Sequence, residues 1–355
     1  MNVTTIGLDM AKNVFFAHGV DPHGKVVMQK KLSRGKVLGF FATLPPCVVG
    51  IEATGGAHYW ARELNRLGHT AKLMPAQYVK PYVKRDKNDP NDAAGITEAV
   101  SRPSMRFVSL NTVEQQDMQM RHAIRRRWVA SRTALTNQMR GLLGEYGIVF
   151  GQGPTQVRRG LTSILATEDP RLSALAREMI ADVQRQLQAL DACLETYDAR
   201  IERACAGDAR CARLDAVPGI GPITATALVA AVNDGKQYRR GKHLSSSLGI
   251  TPREHSSGGK QRLFGISKRG NTYVRTLLIH GARSVLCHAA RKTDPDPLIR
   301  WALAVAARRG KNIAAVALAN KLARIAWAIL AKDRTYDAHW APEDGVNVIS
   351  PRQRP

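Results

Sequence analysis

Short apolar runs alternate with helical periodicities over the first hundred residues. Val3–Leu8 and Val14–Val20 read as strands, Asp21-Pro22-His23-Gly24 as a turn, and Lys25–Lys30 as a third strand. A short helix is expected near Lys36–Thr43, then an apolar strand at Cys47–Ile51. A helix at Ala57–Leu67, a strand at Thr70–Leu73 and a helix opening near Asp89 follow. The middle of the chain changes character. Leu172, Leu175, Met179, Val183, Leu187, Leu190, Leu194, Tyr197 and Ile201 recur at steps of three and four, the mark of a long amphipathic helix of coiled-coil type. A second such helix spans about Val113–Tyr146, and the connector Gly147–Gly160 would let the two pack antiparallel. The last third opens on Val217-Pro218-Gly219-Ile220-Gly221 and the helix-forming Ile223–Val232. It continues through a basic, glycine-bearing loop at Lys236–Gly270 and closes with helices at about Asn271–Arg291 and Lys311–Lys332. No internal repeat and no apolar run near the roughly 18 residues of a membrane span is evident.

Three meandering strands followed by alternating helices and strands is the order of a ribonuclease-H-like fold. It is not the βαβ repeat of a dinucleotide-binding domain, and no GxGxxG occurs. The expected fold class is α/β plus all-α. Residues 1–108 form the α/β domain, 109–208 a coiled-coil and dimerisation domain, 209–332 a helical C-terminal domain, and 333–355 a tail.

Charge narrows the class of partner. The chain of 355 residues has 53 Lys+Arg against 29 Asp+Glu, a net of +24, and residues 211–355 alone hold 24 basic and 9 acidic groups. Such a balance points to a polyanion, nucleic acid before membrane, since no basic amphipathic anchor stands out. Five scattered cysteines without CxxC spacing argue against a disulfide scaffold or structural zinc. The first residues, MNVTTIGLDM, start on a strand pattern rather than a secretory signal, and with the scattered cysteines a cytoplasmic location is expected.

Four acids are candidates for chemistry. Asp9 ends the first strand, Glu52 ends the apolar strand, and Asp89 and Asp92 share one face at a helix start. Carboxylates brought together from strand ends and a helix turn can hold hard divalent cations, Mg²⁺ above all, and so work on a phosphodiester. For Asp89 and Asp92 alone, the competing reading is helix capping, with Asp89 as N-cap before Pro90. Pro218-Gly219-Ile220-Gly221 reads either as a helix-hairpin-helix, with Gly219 and Gly221 letting backbone approach a phosphate, or as a tight turn between packed helices. Thr251–Arg262 holds Ser256-Ser257-Gly258-Gly259 within the basic stretch Lys236–Arg275, of which Arg253, Lys260, Arg262, Lys268 and Arg269 are expected to contact nucleic-acid backbone. By itself, a loop serine is ordinarily a turn residue. His255, adjacent to Ser256, is not expected to act as a base.

Five segments in order resemble one family. They are Ile6-Gly7-Leu8-Asp9-Met10-Ala11-Lys12, Ile51-Glu52-Ala53-Thr54-Gly55, Asp89-Pro90-Asn91-Asp92-Ala93, Val217–Gly221 and the run Leu248–Gly270. Together they resemble the DEDD transposases of bacterial insertion sequences, the insertion sequence 110 family of bridge-RNA-guided DNA recombinases. The resemblance covers roughly residues 3–332. It implies a RuvC-like domain, a coiled coil and a transposase domain, with Asp9, Glu52, Asp89 and Asp92 as metal ligands. It also implies a serine nucleophile, and the serine directly before glycine is Ser257. The implied activity breaks and rejoins donor and target double-stranded DNA through a phosphoserine intermediate. A non-coding bridge RNA acts as guide, and the protein works as a dimer to tetramer. The alternatives are a RuvC-type metal-dependent junction endonuclease without a covalent intermediate, and a non-catalytic DNA-binding protein. No role attaches to the connector Gly147–Gly160.

Overall fold

A computed structural model describes residues 2–84, 88–167, 169–289 and 296–339. The chain divides into two units, one ending at Thr112 and one starting at Val113.

The first unit is built on a five-stranded sheet. Its strands are β1 (Thr5–Met10), β2 (Val14–Val20), β3 (Val26–Ser33), β4 (Val48–Glu52) and β5 (Thr70–Met74), in the spatial order β3-β2-β1-β4-β5. β2 runs antiparallel to β1 and β3, while β1, β4 and β5 are parallel. The helices are α1 (Val37–Ala42), α2 (Ala57–Arg66), α3 (Ala76–Val79) and α4 (Asp89–Val100). One face of the sheet buries Ile6, Leu8, Phe15 and Ile51 with Phe41 of α1 and Trp60 and Leu64 of α2. Phe15 and Trp60 meet edge to face at 4.9 Å. The other face carries α4. Val108 bridges to Leu73, and the Asn111 backbone N–H donates to His58 Nδ1 at 3.1 Å, which ties the segment before Val113 to this unit.

The second unit is helical, with one hairpin. It comprises α5 (Val113–Gly144), α6 (Pro154–Ala166), α7 (Ala174–Ala206), α8 (Ala209–Asp215), α9 (Pro222–Val232), α10 (Gly241–Ser247), β6 (Pro252–Glu254), β7 (Leu263–Ile266), α11 (Thr272–Ala289), α12 (Pro297–Arg309) and α13 (Lys311–Ala331). α5 and α7 pack antiparallel: Arg125 pairs with Asp198, Trp128 meets Tyr197 edge to face, and Arg132 pairs with Asp191 at 3.0 Å. The buried seam of α7 is Ile180, Leu187, Leu194 and Ile201, one residue in every seven. Leu175 and Met179 of the expected seam are instead 65% and 53% exposed.

Two helices of more than two turns were not expected. The connector after α5 contains α6, which buries Val157, Leu161 and Ile164, and α12 follows Asp296-Pro297. In both, a proline that reads as a breaker sits at the first helical position, where its missing N–H costs nothing. The expected basic loop likewise resolves into α10 and the β6–β7 hairpin. The end of the expected 271–291 helix and residues 340–355 of the expected tail lie outside the described residues.

α9 is apolar all round and sits in the core, flanked by α5, α7, α8 and α11. Among the described residues, α13 is the one helix long and apolar enough to cross a membrane, its apolar run broken by Lys321 and Arg324. Its Ala315, Leu318, Leu322, Ala326 and Ile329 are buried in the same core. All five cysteines are free. Burial pushes the Cys47 thiol up to about 11 and that of Cys211 to about 12, so both stay protonated and unreactive.

A polar cross-link runs through this core. His122 of α5 is 3% exposed, with Nε2 3.1 Å from Thr226 Oγ1 of α9 and Nδ1 3.0 Å from the Tyr273 hydroxyl of α11. The Thr226 hydroxyl donates to Pro222 O at 2.7 Å, so it accepts from His122 Nε2–H, and Nδ1 accepts from Tyr273. Burial, then Arg125 and Arg121, bring His122 from 6.5 down to about 4. Because the unfolded chain binds this proton at higher pH, the stability held above pH 6.5 drains away as pH falls towards 4. The loss should amount to about 3 kcal/mol in all. Urea midpoints across that window should fall more steeply for the native protein than for His122→Gln; parallel curves would refute the assignment.

Candidate functional site

The first candidate site is the α4 face of the sheet. α4 crosses β1 at Gly7, where a Cβ would lie 2.2 Å from Ala93 O and 2.4 Å from Thr97 Oγ1. No side chain fits there, and this close approach brings the first turn of α4 to Asp9, two residues along the same face of β1. Thr97 locks the crossing: its hydroxyl reaches Ala93 O at 2.9 Å and His18 O at 3.0 Å, with His18 Nδ1 3.1 Å away. Gly7→Ala should therefore displace α4 and cost about 3 kcal/mol or more, read as a lowered melting temperature; an unchanged melt would show that the crossing is not tight.

The helix start decides between the two readings of its acids. Asn88, not Asp89, is the N-cap, its side chain accepting from the Asn91 N–H at 2.9 Å. Asp89 is thereby released from capping. The other three acids each bear on Asp9. Burial first, then Asp92, Asp89 and, more weakly, Glu52, push Asp9 up to about 6, against a backbone hydrogen bond from Met10. Like charges in a half-buried place raise a carboxyl in this way, and a cation relieves it. Among the described residues no three His, Cys, Asp or Glu side chains are gathered tightly enough to hold an ion. The donor set of carboxylate oxygens nonetheless fits a hard divalent cation.

The second candidate site is the β6–β7 hairpin. β6 and β7 pair antiparallel, and the turn Ser257-Gly258-Gly259-Lys260 closes with Lys260 N–H donating to Ser257 O at 3.0 Å. Gly258 and Gly259 both have positive φ, 57° and 72°, as such a two-residue turn requires. Alternation then sorts the side chains. Arg253, His255 and Ser257 on one arm and Lys260, Arg262 and Phe264 on the other line one open cleft of about 530 Å³. His255 stacks edge-on against Phe264 at 5.5 Å. The opposite face ties up Ser256, whose hydroxyl donates to Glu254 Oε1 at 2.6 Å and accepts from Arg262 N–H at 3.3 Å. Ser257 Oγ has no hydrogen-bond partner among the described residues. Adjacent serines thus have different surroundings: one is held by a carboxylate, the other faces three cations.

Three of the five expected backbone contacts, Arg253, Lys260 and Arg262, share the cleft. Lys268 and Arg269 are exposed at the base of the hairpin instead. That base is clamped by Arg275, buried to 7% exposure, which donates to Leu248 O at 2.8 Å and Arg269 O at 2.9 Å. His255 and Phe264 were missed as cleft residues; period-two alternation outward from the Gly-Gly turn is the signal that places them. Gly219 (φ 92°) packs its backbone onto α11, with its oxygen 1.9 Å from where a Cβ on Gly281 would lie, while Gly221 is open to solvent.

Comparison with known proteins places the chain in a family. The family described as Transposase IS116/IS110/IS902 matches residues 211–296, and a DEDD transposase family of the IS110 type matches residues 6–148. A probable family 20 transposase of Pseudomonas aeruginosa is 50% identical, covering 95% of this chain and 99% of that protein. The transposase for insertion sequence element IS1111A of Coxiella burnetii is 44% identical, covering 94% and 92%. A pilin gene-inverting protein of Moraxella bovis is 31% identical over 36% of this chain and 39% of its own length. The chain belongs to the IS110 family of transposases, enzymes that act on DNA.

Proposed function

We propose that this protein is a DNA recombinase that cuts and rejoins strands through a phosphoserine at Ser257, assisted by Mg²⁺ at Asp9, Glu52, Asp89 and Asp92 and guided by an RNA encoded by its own element. The observation that carries the serine is the sorting of the hairpin: Ser257 alone of the pair faces Arg253, Lys260 and Arg262. Those cations hold a phosphate within reach of the hydroxyl and balance the charge that builds on it. Ser257 Oγ forms the new bond to phosphorus as the bond to a deoxyribose oxygen breaks. That oxygen leaves as a hydroxyl, taking a proton in place of the one the serine gives up. One phosphoester replaces another, so rejoining needs no nucleotide triphosphate, in keeping with the absence of a P-loop.

The carboxylate site supports the second half of the reading. Bound there, divalent ions would supply positive charge for the oxygens of the phosphodiester under attack. Asp9, Glu52, Asp89 and Asp92 would hold them, with Gly7 and Thr97 fixing α4 over β1 so that the four acids stay in reach of one another. The helix-hairpin-helix reading of Val217–Gly221 narrows to Gly221, since Gly219 is taken up in packing. Guidance by RNA rests on family membership, and base pairing would then carry the choice of sequence.

Assembly into a dimer or larger is part of the proposal. Leu142, Val149, Leu175 and Met179, all more than half exposed, lie on the segments flanking α6 and offer apolar surface to a second copy. The direct test of the whole reading is a protein–DNA adduct that survives denaturation. A junction endonuclease, the alternative, gives metal-dependent nicks and no adduct. In duplex binding, Arg262→Ala should lower the salt slope by about 0.9 without altering sequence choice; a changed sequence preference with an unchanged slope would assign Arg262 to base recognition instead.

A further inference from the structure

The register of the sheet sets an aromatic ring and a cation beside the four acids. Phe16 of β2 is the paired neighbour of Asp9 on one side and of Lys31 on the other. Glu52 follows Ile51, which pairs with Leu8, so the row across the sheet reads Lys31, Phe16, Asp9, Glu52. Residues in one row of a pleated sheet share a face, and Gly7 shows that this is the α4 face. Lys31 Nζ stands 5.8 Å from the centroid of the Phe16 ring.

Folding does not account for this ring. Phe15 and Ala17, its chain neighbours, are buried in the core on the opposite face. Phe16 is only half-buried and, among the described residues, belongs to neither apolar core of the unit. Lysines on an edge strand such as β3 discourage pairing with another sheet, which explains Lys30 and Lys31 as charges. It does not explain a phenyl ring in a row with carboxylates. A cluster of acids also repels the backbone of any nucleic acid that approaches it, so a strand needs attraction from close by.

We infer that Phe16 and Lys31 form a subsite for the DNA strand that lies at the carboxylates. The Phe16 ring stacks on a base beside the phosphodiester, and Lys31 holds a phosphate farther along the same strand. Lys31 is two strand spacings from Asp9, about 10 Å, the length of roughly three stacked nucleotides. Stacking on a phenyl face is indifferent to sequence, as suits an enzyme whose target is chosen elsewhere. This subsite rests on the proposal that the four carboxylates act on DNA.

The test uses the full-length protein and DNA oligonucleotides carrying 2-aminopurine at single positions, with Ca²⁺ present to keep the strand intact. One position should lose fluorescence on binding. Phe16→Leu, which keeps apolar volume but cannot stack, should abolish that loss and weaken binding about tenfold, while Phe16→Tyr keeps both. Lys31→Ala should lower the single-strand salt slope by about 0.7, and Lys30→Ala, whose side chain lies over Phe40 on the other face, should leave it unchanged. Titration with Mn²⁺ separates this inference from the reading beneath it. Native-like Mn²⁺ binding in Phe16→Leu together with an unchanged fluorescence signal overturns the subsite alone. A native protein that takes up no Mn²⁺ overturns the carboxylate site and the subsite with it.

Discussion

Ser257→Ala protein should bind DNA and RNA as the native protein does, form no covalent adduct, and recombine at least a thousandfold more slowly. The magnitude follows from the loss of the attacking atom itself; removing a nucleophile in other enzymes costs about a millionfold. Binding survives because the hairpin does not depend on this hydroxyl, which has no partner among the described residues. Its turn is held by the Lys260–Ser257 backbone hydrogen bond and its base by Arg275. Ser256→Ala makes the sharper control. It removes a hydrogen bond to Glu254 on the far face and should cost about 1 kcal/mol of local stability, with recombination reduced only severalfold. Adduct formation is read on denaturing gels and recombination by counting joined products. If Ser256→Ala and Ser257→Ala fail alike, the loop is needed for its shape and the nucleophile lies elsewhere. If Ser257→Ala recombines normally, Ser257 is an ordinary turn residue.

Glu52→Ala and Asp92→Ala should each abolish strand cleavage and leave nucleic-acid binding within a few-fold of native. Both remove a negative charge near a polyanion, so any change in binding should be an increase. The same substitutions report on Asp9. Asp92 is the largest charged contributor to its raised pKa of about 6, after burial. Asp92→Ala should therefore bring Asp9 down towards the ordinary carboxyl range, and Glu52→Ala should do so less. Carboxyl titration followed by NMR measures this without reference to activity. Equal losses of binding and cleavage would mean that these acids serve folding, and an unmoved Asp9 would mean that they do not face one another.

Much of the first unit was legible in the sequence because its signals are local. Alternation in Val14–Val20 and the continuous apolar run before Glu52 follow directly from a strand buried on one face or both. The antiparallel pairing of α5 and α7 was legible for the same reason, since a sustained helical periodicity needs a partner along its whole length. The errors cluster where one residue type has two meanings. Proline breaks a helix from within yet opens α6 and α12. Asp89 before Pro90 has the look of a cap, yet Asn88 one residue earlier takes that role. The hairpin was hidden because its strands are short and exposed on both faces, so no apolar pattern announces them.

By itself the sequence determined the order of the five strands of the sheet, the four acids at strand and helix ends, the excess of positive charge in the last third, and the pair of candidate serines. Each of these is a property of neighbours in the chain. Only the tertiary structure decided which neighbours in space they meet. The fit of Gly7 against Ala93 brings α4 to Asp9, and the pairing of β2 with β1 and β3 sets Phe16 and Lys31 in that row. The alternation of the hairpin turns Ser256 to Glu254 and Ser257 to the cations. Packing of α11 against Gly219 claims one of the two hairpin glycines for the core. Close approach, strand register and the facing of side chains depend on residues far apart in sequence, and a single sequence read along its length does not hold those distances.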